Sequence, residues 1–219
     1  MTKKNKSRFD DGFQSYLVEN ANFAGRIKMP EIIDMHNNSI PKELIPFNKI
    51  STSKSKRGYI HFYIHDKIFE NFISNINYYL PLISEYDGVI TPDCSLVIGQ
   101  LEYLQMTNTY FNRACGVYLE KFGIPVIPTV RWSDEKSFEF CFNGLPKKSI
   151  LAISTHGCIK TNKQKLMFKK GLEEMINKLR PTDVIVYGYM PSAIFSSVMS
   201  LTNFHRYPNH FEKYCKKEL

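Results

Sequence analysis

Short apolar runs that stop at small or polar residues recur through the middle of the chain. Residues 59–65 are rich in aromatic and β-branched side chains, and Ile150–Ser154 is apolar along almost its whole length. Such runs are typical of β-strands, and fully apolar ones are typical of strands buried on both faces. The pattern predicts strands at these two places and also at residues 89–90, 124–130 and 184–187.

Helical periodicity fills the intervals between these strands. From residue 96 to 122 and from residue 168 to 179, apolar side chains recur three or four positions apart, which predicts two amphipathic helices. Shorter helices are predicted at residues 67–76, with Asp66 as the N-cap, and at residues 192–201. A strand, an amphipathic helix and a strand in succession form a βαβ unit, in which the two strands are parallel.

The predicted fold is α/β, with a mostly parallel sheet that is either open or closed into a distorted barrel and is flanked by helices. Residues 138–142 alternate phenylalanine with glutamate and cysteine, which predicts one half-buried strand that pairs antiparallel with its predecessor. We predict a single α/β domain at residues 11–204. A mobile basic tail at residues 1–10 precedes it, and an aromatic and basic tail at residues 205–219 follows it.

The chain is basic, with a net charge of +8 that arises from 29 Lys and Arg against 21 Asp and Glu. A basic protein favours acidic partners such as nucleic acid, nucleotides or the acidic face of another protein. Much of the excess lies at the two ends of the chain and in the loop at residues 51–58. The alternative is therefore a solvated, lysine-rich surface with no specific partner.

The cysteines and the hydropathy pattern indicate a compartment. Five cysteines without a CxxC pair indicate reduced thiols in a cytoplasmic protein and argue against a zinc site. The basic N-terminus lacks the apolar segment of a signal peptide, and no apolar run reaches the roughly 18 residues of a transmembrane helix, so no membrane partner is predicted. Walker A, GxGxxG, HExxH and GxSxG motifs are also absent. The sequence thus specifies no cofactor, no reaction class and no oligomeric state.

Polar side chains collect just after the predicted strands. In parallel α/β folds, ligands bind outside the carboxyl ends of the strands. The residues at these ends are Asp93, Ser95, Arg131, Trp132, Thr155, His156, Gly157 and Tyr187. Together they offer a carboxylate, a guanidinium, an imidazole, hydroxyls and the single tryptophan, and so they predict a ligand site at this edge of the sheet.

Asp93 and His156 are the candidate catalytic residues, because a carboxylate and an imidazole can transfer protons to or from a bound ligand. Gly157 permits the close backbone approach that anion-cradling loops need. For Asp93 the alternative is a helix N-cap, and for His156 it is a turn residue bonded to the backbone.

Two further groups are candidate ligand-binding residues. Asn108 falls on the apolar stripe of the long helix, so its amide should face the core or a pocket, and Asn112 and Arg113 follow one turn later. The alternative is a structural network that ties this helix to the sheet. Arg131 and Trp132 combine a planar cation with an aromatic platform, as in sites that stack bases and bind phosphate. Their alternative is an Arg–carboxylate pair over a core tryptophan.

Several longer motifs resemble one known family. The runs GVITPDCSL, NTYFNR, GIPVIPTVRW, FCFNGLPKKSILAISTHGC and DVIVYG are similar to those of the DUF4417 family of bacterial, phage and mobile-element proteins. The resemblance covers residues 45–188, which is most of the chain. It implies a phage or mobile-element setting and assigns no catalytic residue.

The leading hypothesis is a protein that binds a phosphate-bearing ligand, either nucleic acid or a nucleotide, at the strand ends. Arg113 and Arg131 would then bind the anion, and Trp132 would stack on the ligand. One alternative is a non-enzymatic interaction protein, such as a phage inhibitor of a host defence enzyme, whose contacts with a host protein would be made by the tails. Another is a metal-assisted hydrolase that uses Asp93 and His156.

Overall fold

The computed structural model describes residues 12–33 and 39–215 of the chain. The basic tail predicted at residues 1–10 lies outside these ranges. Within them, nine short strands are found: β1 (Phe23–Ala24), β2 (Met29–Pro30), β3 (Leu44–Pro46), β4 (Tyr59–His61), β5 (Gly88–Ile90), β6 (Val126–Ile127), β7 (Ile150–Ser154), β8 (Asp183–Tyr187) and β9 (Asn203–Tyr207). The described part of the chain also contains six α-helices: α1 (Asp66–Ser74), α2 (Ile76–Ile83), α3 (Glu102–Lys121), α4 (Asn162–Leu179), α5 (Ser192–Phe195) and α6 (His210–Cys215).

Seven of the strands run parallel in one continuous order. Strands β3, β4, β5 and β6 form a four-stranded sheet, and β7, β8 and β9 form a three-stranded sheet. A parallel bridge between Thr129 and Ala152 joins the two sheets just beyond β6. The predicted α/β class with a mostly parallel sheet is confirmed, since among the described residues antiparallel pairing is limited to the two-residue strands β1 and β2.

Ring contacts across the sheet show that it is rolled up. The rings of His61 in β4 and Tyr187 in β8 are 4.7 Å apart, although three strands lie between them in the sheet order. In a flat sheet these strands would be roughly 19 Å apart, at about 4.8 Å per step. At the two edges of the sheet, the hydroxyl of Tyr207, the last residue of β9, donates to the Pro41 carbonyl ahead of β3. Of the two predicted forms, the structure is therefore the distorted barrel.

Alternating side chains of the strands divide the core into an interior and two outer layers. The interior contains residues from each of the seven parallel strands, namely Leu44, Tyr59, Ile90, Ile127, Ala152, Ile185 and Tyr207. The opposite face of β4 to β6 packs against α1, α2 and α3. The opposite face of β7 and β8 packs against α4 and α5 through the predicted apolar stripe of α4. No helix in the described ranges has the length and apolar character needed to span a membrane.

The strand predicted at residues 138–142 is wrong. A 3-10 helix occupies Glu135–Glu139. The Ser137 hydroxyl donates to the carbonyl of Asp134, the residue that precedes this helix, at 2.6 Å. The rings of Phe138 and Phe142 lie 5.7 Å apart, as side chains four residues apart do in a helical turn. The alternation of phenylalanine thus reflects two turns packed against the core.

Two terminal features also differ from the sequence-based expectation. The helix predicted at residues 192–201 is limited to Ser192–Phe195. Residues 203–207, most of which were assigned to the C-terminal tail, form β9, which pairs in parallel with β8. Phe204 in this strand packs edge-on against Phe195 with ring centroids 5.5 Å apart. The division of the chain into one domain and two tails stays a prediction.

Candidate functional site

A cavity of about 360 Å³ opens at the carboxyl ends of β6 and β7, beside the start of α4. Its polar lining includes Arg131, Ser154, Gly157, Cys158, Thr161 and Lys163, and its apolar lining includes Leu96, Val130, Trp132 and Phe168. The cavity lies at the edge of the sheet where the sequence predicted a ligand site. Three of the predicted site residues, Arg131, Trp132 and Gly157, contribute directly to its wall.

Arg131 is held in the cavity wall by two neighbours. Its Nη1 atom donates to Asp93 Oδ2 at 3.2 Å and to Cys158 Sγ at 2.9 Å. Within the described part of the chain, no hydrogen bond is made by Nε or Nη2. The side chain is 21% exposed. Arg131 therefore offers a fixed, partly desolvated guanidinium whose remaining donors are available to an anion.

Asp93 is almost completely buried, and one of its oxygens is unpaired. Oδ2 accepts from Arg131, while Oδ1 has no hydrogen-bond partner among the described residues. Burial raises the pKa of Asp93, and the charge of Arg131 only partly offsets this effect. A buried carboxyl group with a raised pKa and a free oxygen is a candidate for proton transfer. Asp93 does not itself line the cavity, but it contacts Arg131, which does.

The loop after β7 and the start of α4 form the other side of the cavity. Gly157 has a positive φ of 77° with no heavy atom close to where a Cβ would stand. Thr161 and Gln164 form a capping box at the start of α4, whose first turn contains no acidic residue. This box leaves the backbone N–H groups of Asn162 and Lys163 without an intrahelical partner. The positive end of the helix dipole and Lys163 are thus both close to the cavity.

Aromatic rings close the barrel interior next to the site. Tyr187 stacks on Tyr63 with ring centroids 5.0 Å apart, and its hydroxyl accepts from His210 N at 3.1 Å. His156 lies at the exposed rim, stacked on Phe211 at 5.7 Å. Partial burial and the charge of Lys160 lower the pKa of His156, so this imidazole is largely neutral near pH 7.

Asp93 and His156 do not form a coupled pair. The pKa of Asp93 is shifted by burial, Arg131 and Asp66, whereas that of His156 is shifted by burial, Lys160 and Glu212. Nor does any group of three His, Cys, Asp or Glu in the described ranges have the arrangement of a metal site. Within the described ranges, the hypothesis of a metal-assisted hydrolase is therefore not supported by a set of metal ligands.

Four of the predicted ligand-binding residues have structural contacts. Ser95 donates from its hydroxyl to Asp66 at 2.9 Å, and the Asn108 amide donates to the Ser95 carbonyl at 2.6 Å. Asn112 donates to the Pro92 carbonyl at 2.7 Å. These bonds fix the turn that presents Asp93. Arg113, the fourth, is 1% exposed and is bonded mainly to backbone carbonyls, so it is not an anion-binding residue of this cavity.

Three other predictions are refined by the geometry. Asp66 is not an N-cap, because His65 precedes α1 and accepts from the Lys67 N–H, while Asp66 accepts from Ser95. Trp132 is 7% exposed and packs against Phe168 at 5.0 Å, so it forms part of the cavity wall and is not a free stacking platform. Thr155 donates to the Tyr189 carbonyl at 2.8 Å and positions the next loop.

Comparison with known families and proteins gives an identification. The family model "Domain of unknown function (DUF4417)" matches residues 22–207. The chain belongs to this family.

Two phage proteins are among the relatives of this DUF4417 member. The "Gene 1 protein" of Mycobacterium phage L5 is 32% identical over 156 residues, which is 71% of this chain and 67% of that protein. The "Gene 1 protein" of Mycobacterium phage D29 is 30% identical over 160 residues, which is 73% of this chain and 58% of that protein. The match thus spans only part of each relative, and the family is phage-associated. No solved structure matches the chain.

Sequence reasoning missed the residues on the α4 side of the cavity. Thr161 and Gln164 have the spacing of a capping box, Thr-x-x-Gln, which could have placed the helix start at residue 162. The contact of Cys158 with Arg131 had no comparable local signal, because it joins two different strand ends.

The raised pKa of Asp93 predicts a pH-dependent stability difference. Burial raises the folded-state pKa, so the stability that this group contributes is present below its ordinary pKa of 3.8 and is lost as the pH rises through the raised value. Asp93→Asn removes this titration. In urea unfolding at a series of pH values, the variant should gain stability relative to wild type as the pH rises from 3.8 towards neutrality. Asp87→Asn, on an exposed turn, is the matched control. A gain in the opposite direction would contradict this description of Asp93.

Proposed function

We propose that this protein binds a phosphate-bearing ligand, either a nucleotide or nucleic acid, in the cavity at the carboxyl ends of β6 and β7. The observation that carries the proposal is that the Arg131 guanidinium is held in place while some of its hydrogen-bond donors are free. Asp93 and Cys158 hold one of its nitrogens, and its other donors are left for a ligand in the cavity. A planar guanidinium fixed in this way is suited to two parallel hydrogen bonds to phosphate.

The surroundings of Arg131 support an anionic ligand. The Gly157 loop, the N-terminus of α4 and Lys163 all add positive potential or free N–H donors on the opposite side of the cavity. The apolar wall formed by Leu96, Val130 and Phe168 suits the nonpolar face of a base or a sugar. The net charge of +8 adds a general attraction for polyanions.

Within this proposal, Asp93 is the proton-transfer group, and its link to the cavity is its contact with Arg131. Its Oδ1 atom is buried without a partner, and its pKa is raised by burial. If the ligand is a substrate, Asp93→Asn should retain binding and lose turnover.

The test is direct binding to wild type and to Arg131→Gln. A thermal-shift screen of nucleotides, short oligonucleotides and inorganic phosphate first identifies a ligand, and isothermal titration then measures its affinity. Because one charged hydrogen-bonding group contributes about 1.5–3 kcal/mol, Arg131→Gln should weaken binding by about 10- to 100-fold. Arg57→Gln removes the same charge from an exposed loop and is the matched control.

A second variant guards against misfolding. Lys163→Ala changes an exposed side chain at the start of α4 and should weaken the same ligand by about fivefold, while the fold is unaffected. Equal affinities for wild type, Arg131→Gln and Lys163→Ala would show that the cavity is not the binding site.

A further inference from the structure

A second groove lies on the other side of the start of α4. It is lined by Ile159, Lys165, Leu166, Lys169, Tyr189 and Ile194, and its volume is about 440 Å³. Residues that are adjacent in the chain line the two depressions. Cys158 lines the first and Ile159 the second, and Gln164 lines the first and Lys165 the second. The first turn of α4 therefore lies between the two depressions and is the ridge that separates them.

The lysines at and around this ridge are unfavourable for the stability of α4. Five lysines stand between residues 160 and 170, and no acidic residue lies among them. Cations at the positive end of a helix dipole and like charges one turn apart both lower stability. In the described part of the chain, only Lys170 of these five forms an ion pair, with Glu135. The other four lysines create an uncompensated positive path beside the cavity.

Exposed aromatic and apolar side chains accompany this charge. Tyr189 in the groove is 61% exposed, and the guanidinium of Arg206 lies over its ring at 6.0 Å from the centroid. Leu166, which also lines the groove, is 52% exposed. A rigid ring backed by a cation, next to lysines, is the combination on which unpaired bases stack while their phosphates are neutralised.

We propose that the ligand is a single-stranded nucleic acid, with one nucleotide in the cavity beside Arg131 and the following segment in the groove of Lys165, Lys169 and Tyr189. This inference rests on the proposed function of the cavity. A free mononucleotide would leave the lysine path and the exposed ring unused. A purely acidic peptide such as poly-glutamate would satisfy the lysines and could pair with Arg131, but it has no planar ring to stack on Tyr189.

The test compares ligands of different length on matched variants. The probes are dTMP and UMP, measured by titration, and fluorescent (dT)10 and (rU)10, measured by anisotropy. The variants are Lys165→Ala/Lys169→Ala, Tyr189→Ala and Arg131→Gln. The control is Lys121→Ala/Lys147→Ala, which removes the same charge from exposed lysines near the opposite end of the strands.

Wild type should bind the decamers at least about tenfold more tightly than the monophosphates. The double variant Lys165→Ala/Lys169→Ala should bind the decamers about tenfold more weakly. It should also lower the slope of log affinity against log salt by about 1.4, at about 0.7 per phosphate contact. Tyr189→Ala should weaken the decamers by about 5- to 100-fold, as expected for loss of one stacked base. Both variants should leave monophosphate affinity within about twofold of wild type.

Different failures have different meanings. If the decamers and monophosphates bind equally in every variant except Arg131→Gln, the cavity binds nucleotides and the single-strand inference is wrong. If Arg131→Gln binds every probe like wild type, the proposed function fails and this inference fails with it. Binding of poly-glutamate that is lost in the double variant Lys165→Ala/Lys169→Ala, without binding of any decamer, would overturn the inference in favour of an acidic peptide.

Discussion

Replacing Arg113 with methionine is expected to lower the free energy of unfolding by about 3–5 kcal/mol, the largest effect of any single change considered for this fold. The Arg113 guanidinium donates to the carbonyls of Asn143 at 3.0 Å and Cys141 at 2.5 Å, and also to the Asn112 side chain. Burial lowers the pKa of Arg113 to about 10, so the group remains charged at neutral pH. Methionine would fill a similar volume but would leave buried acceptors without a donor.

Urea unfolding followed by circular dichroism measures this loss. Arg57→Met, at an exposed position, is the control and should change stability by less than about 0.5 kcal/mol. Arg113→Lys keeps the charge with fewer donors and should lie between methionine and wild type. A loss below about 1 kcal/mol for Arg113→Met would contradict the structural role, because it would mean that these carbonyls are solvated.

Gly144→Ala is expected to cost about 2–5 kcal/mol, from two separable causes. Gly144 has a positive φ of 71°, which an alanine adopts only with strain. In addition, a Cβ at this position would overlap the carbonyl oxygen of Pro30, which is backbone and cannot rotate away. The Gly144 carbonyl also accepts from the Ile32 N–H at 3.0 Å, so any shift would break this contact.

Gly123→Ala separates the two causes. Gly123 has nearly the same φ, 72°, but has open space where the Cβ would stand. It should therefore show only the conformational cost of about 1–2 kcal/mol. Thermal or urea unfolding of both variants gives the difference directly. Equal losses in the two proteins would show that the close approach of Pro30 to Gly144 does not occur in solution.

The sequence predicted the strands whose apolar side chains are buried on both faces of the sheet. Ile150–Ser154 was predicted with its observed limits, because a short apolar run of this length is typical of a strand buried on both faces. The strand ends also predicted the place of the cavity, since parallel strands bring their carboxyl ends to one edge. Arg131 lies at that edge and lines the cavity, while its role as a ligand-binding residue stays a prediction.

The features that could not be predicted depend on contacts between residues that are far apart in the sequence. Arg113 and Arg131 were both predicted to bind the anion, yet Arg113 donates to carbonyls of residues 141 and 143, whereas Arg131 lines the cavity. Strand β9 has the composition of a polar tail, with His205 and Arg206 at its centre, and is a strand only because β8 offers an edge. The turn at residues 138–142 shows the same effect, because burial against Arg113 and the core outweighs its alternating pattern.

The buried hydrogen bonds of α3 support the cavity through the turn that contains Asp93. The bonds of Asn112 and Arg113 hold α3 and the turn after β5, and that turn presents Asp93 to Arg131. The orientation of Arg131 is therefore fixed before any ligand arrives, which lowers the entropic cost of binding. Substitutions at Arg113 should act on stability, whereas those at Arg131 should act on affinity.

The most direct test of the central claim is a crystal structure of the protein with a bound nucleoside monophosphate. The phosphate is expected in the cavity at the carboxyl ends of β6 and β7, within hydrogen-bonding distance of the Arg131 guanidinium and close to the start of α4. A phosphate bound elsewhere on the surface, with no ligand contact to Arg131, would contradict the account.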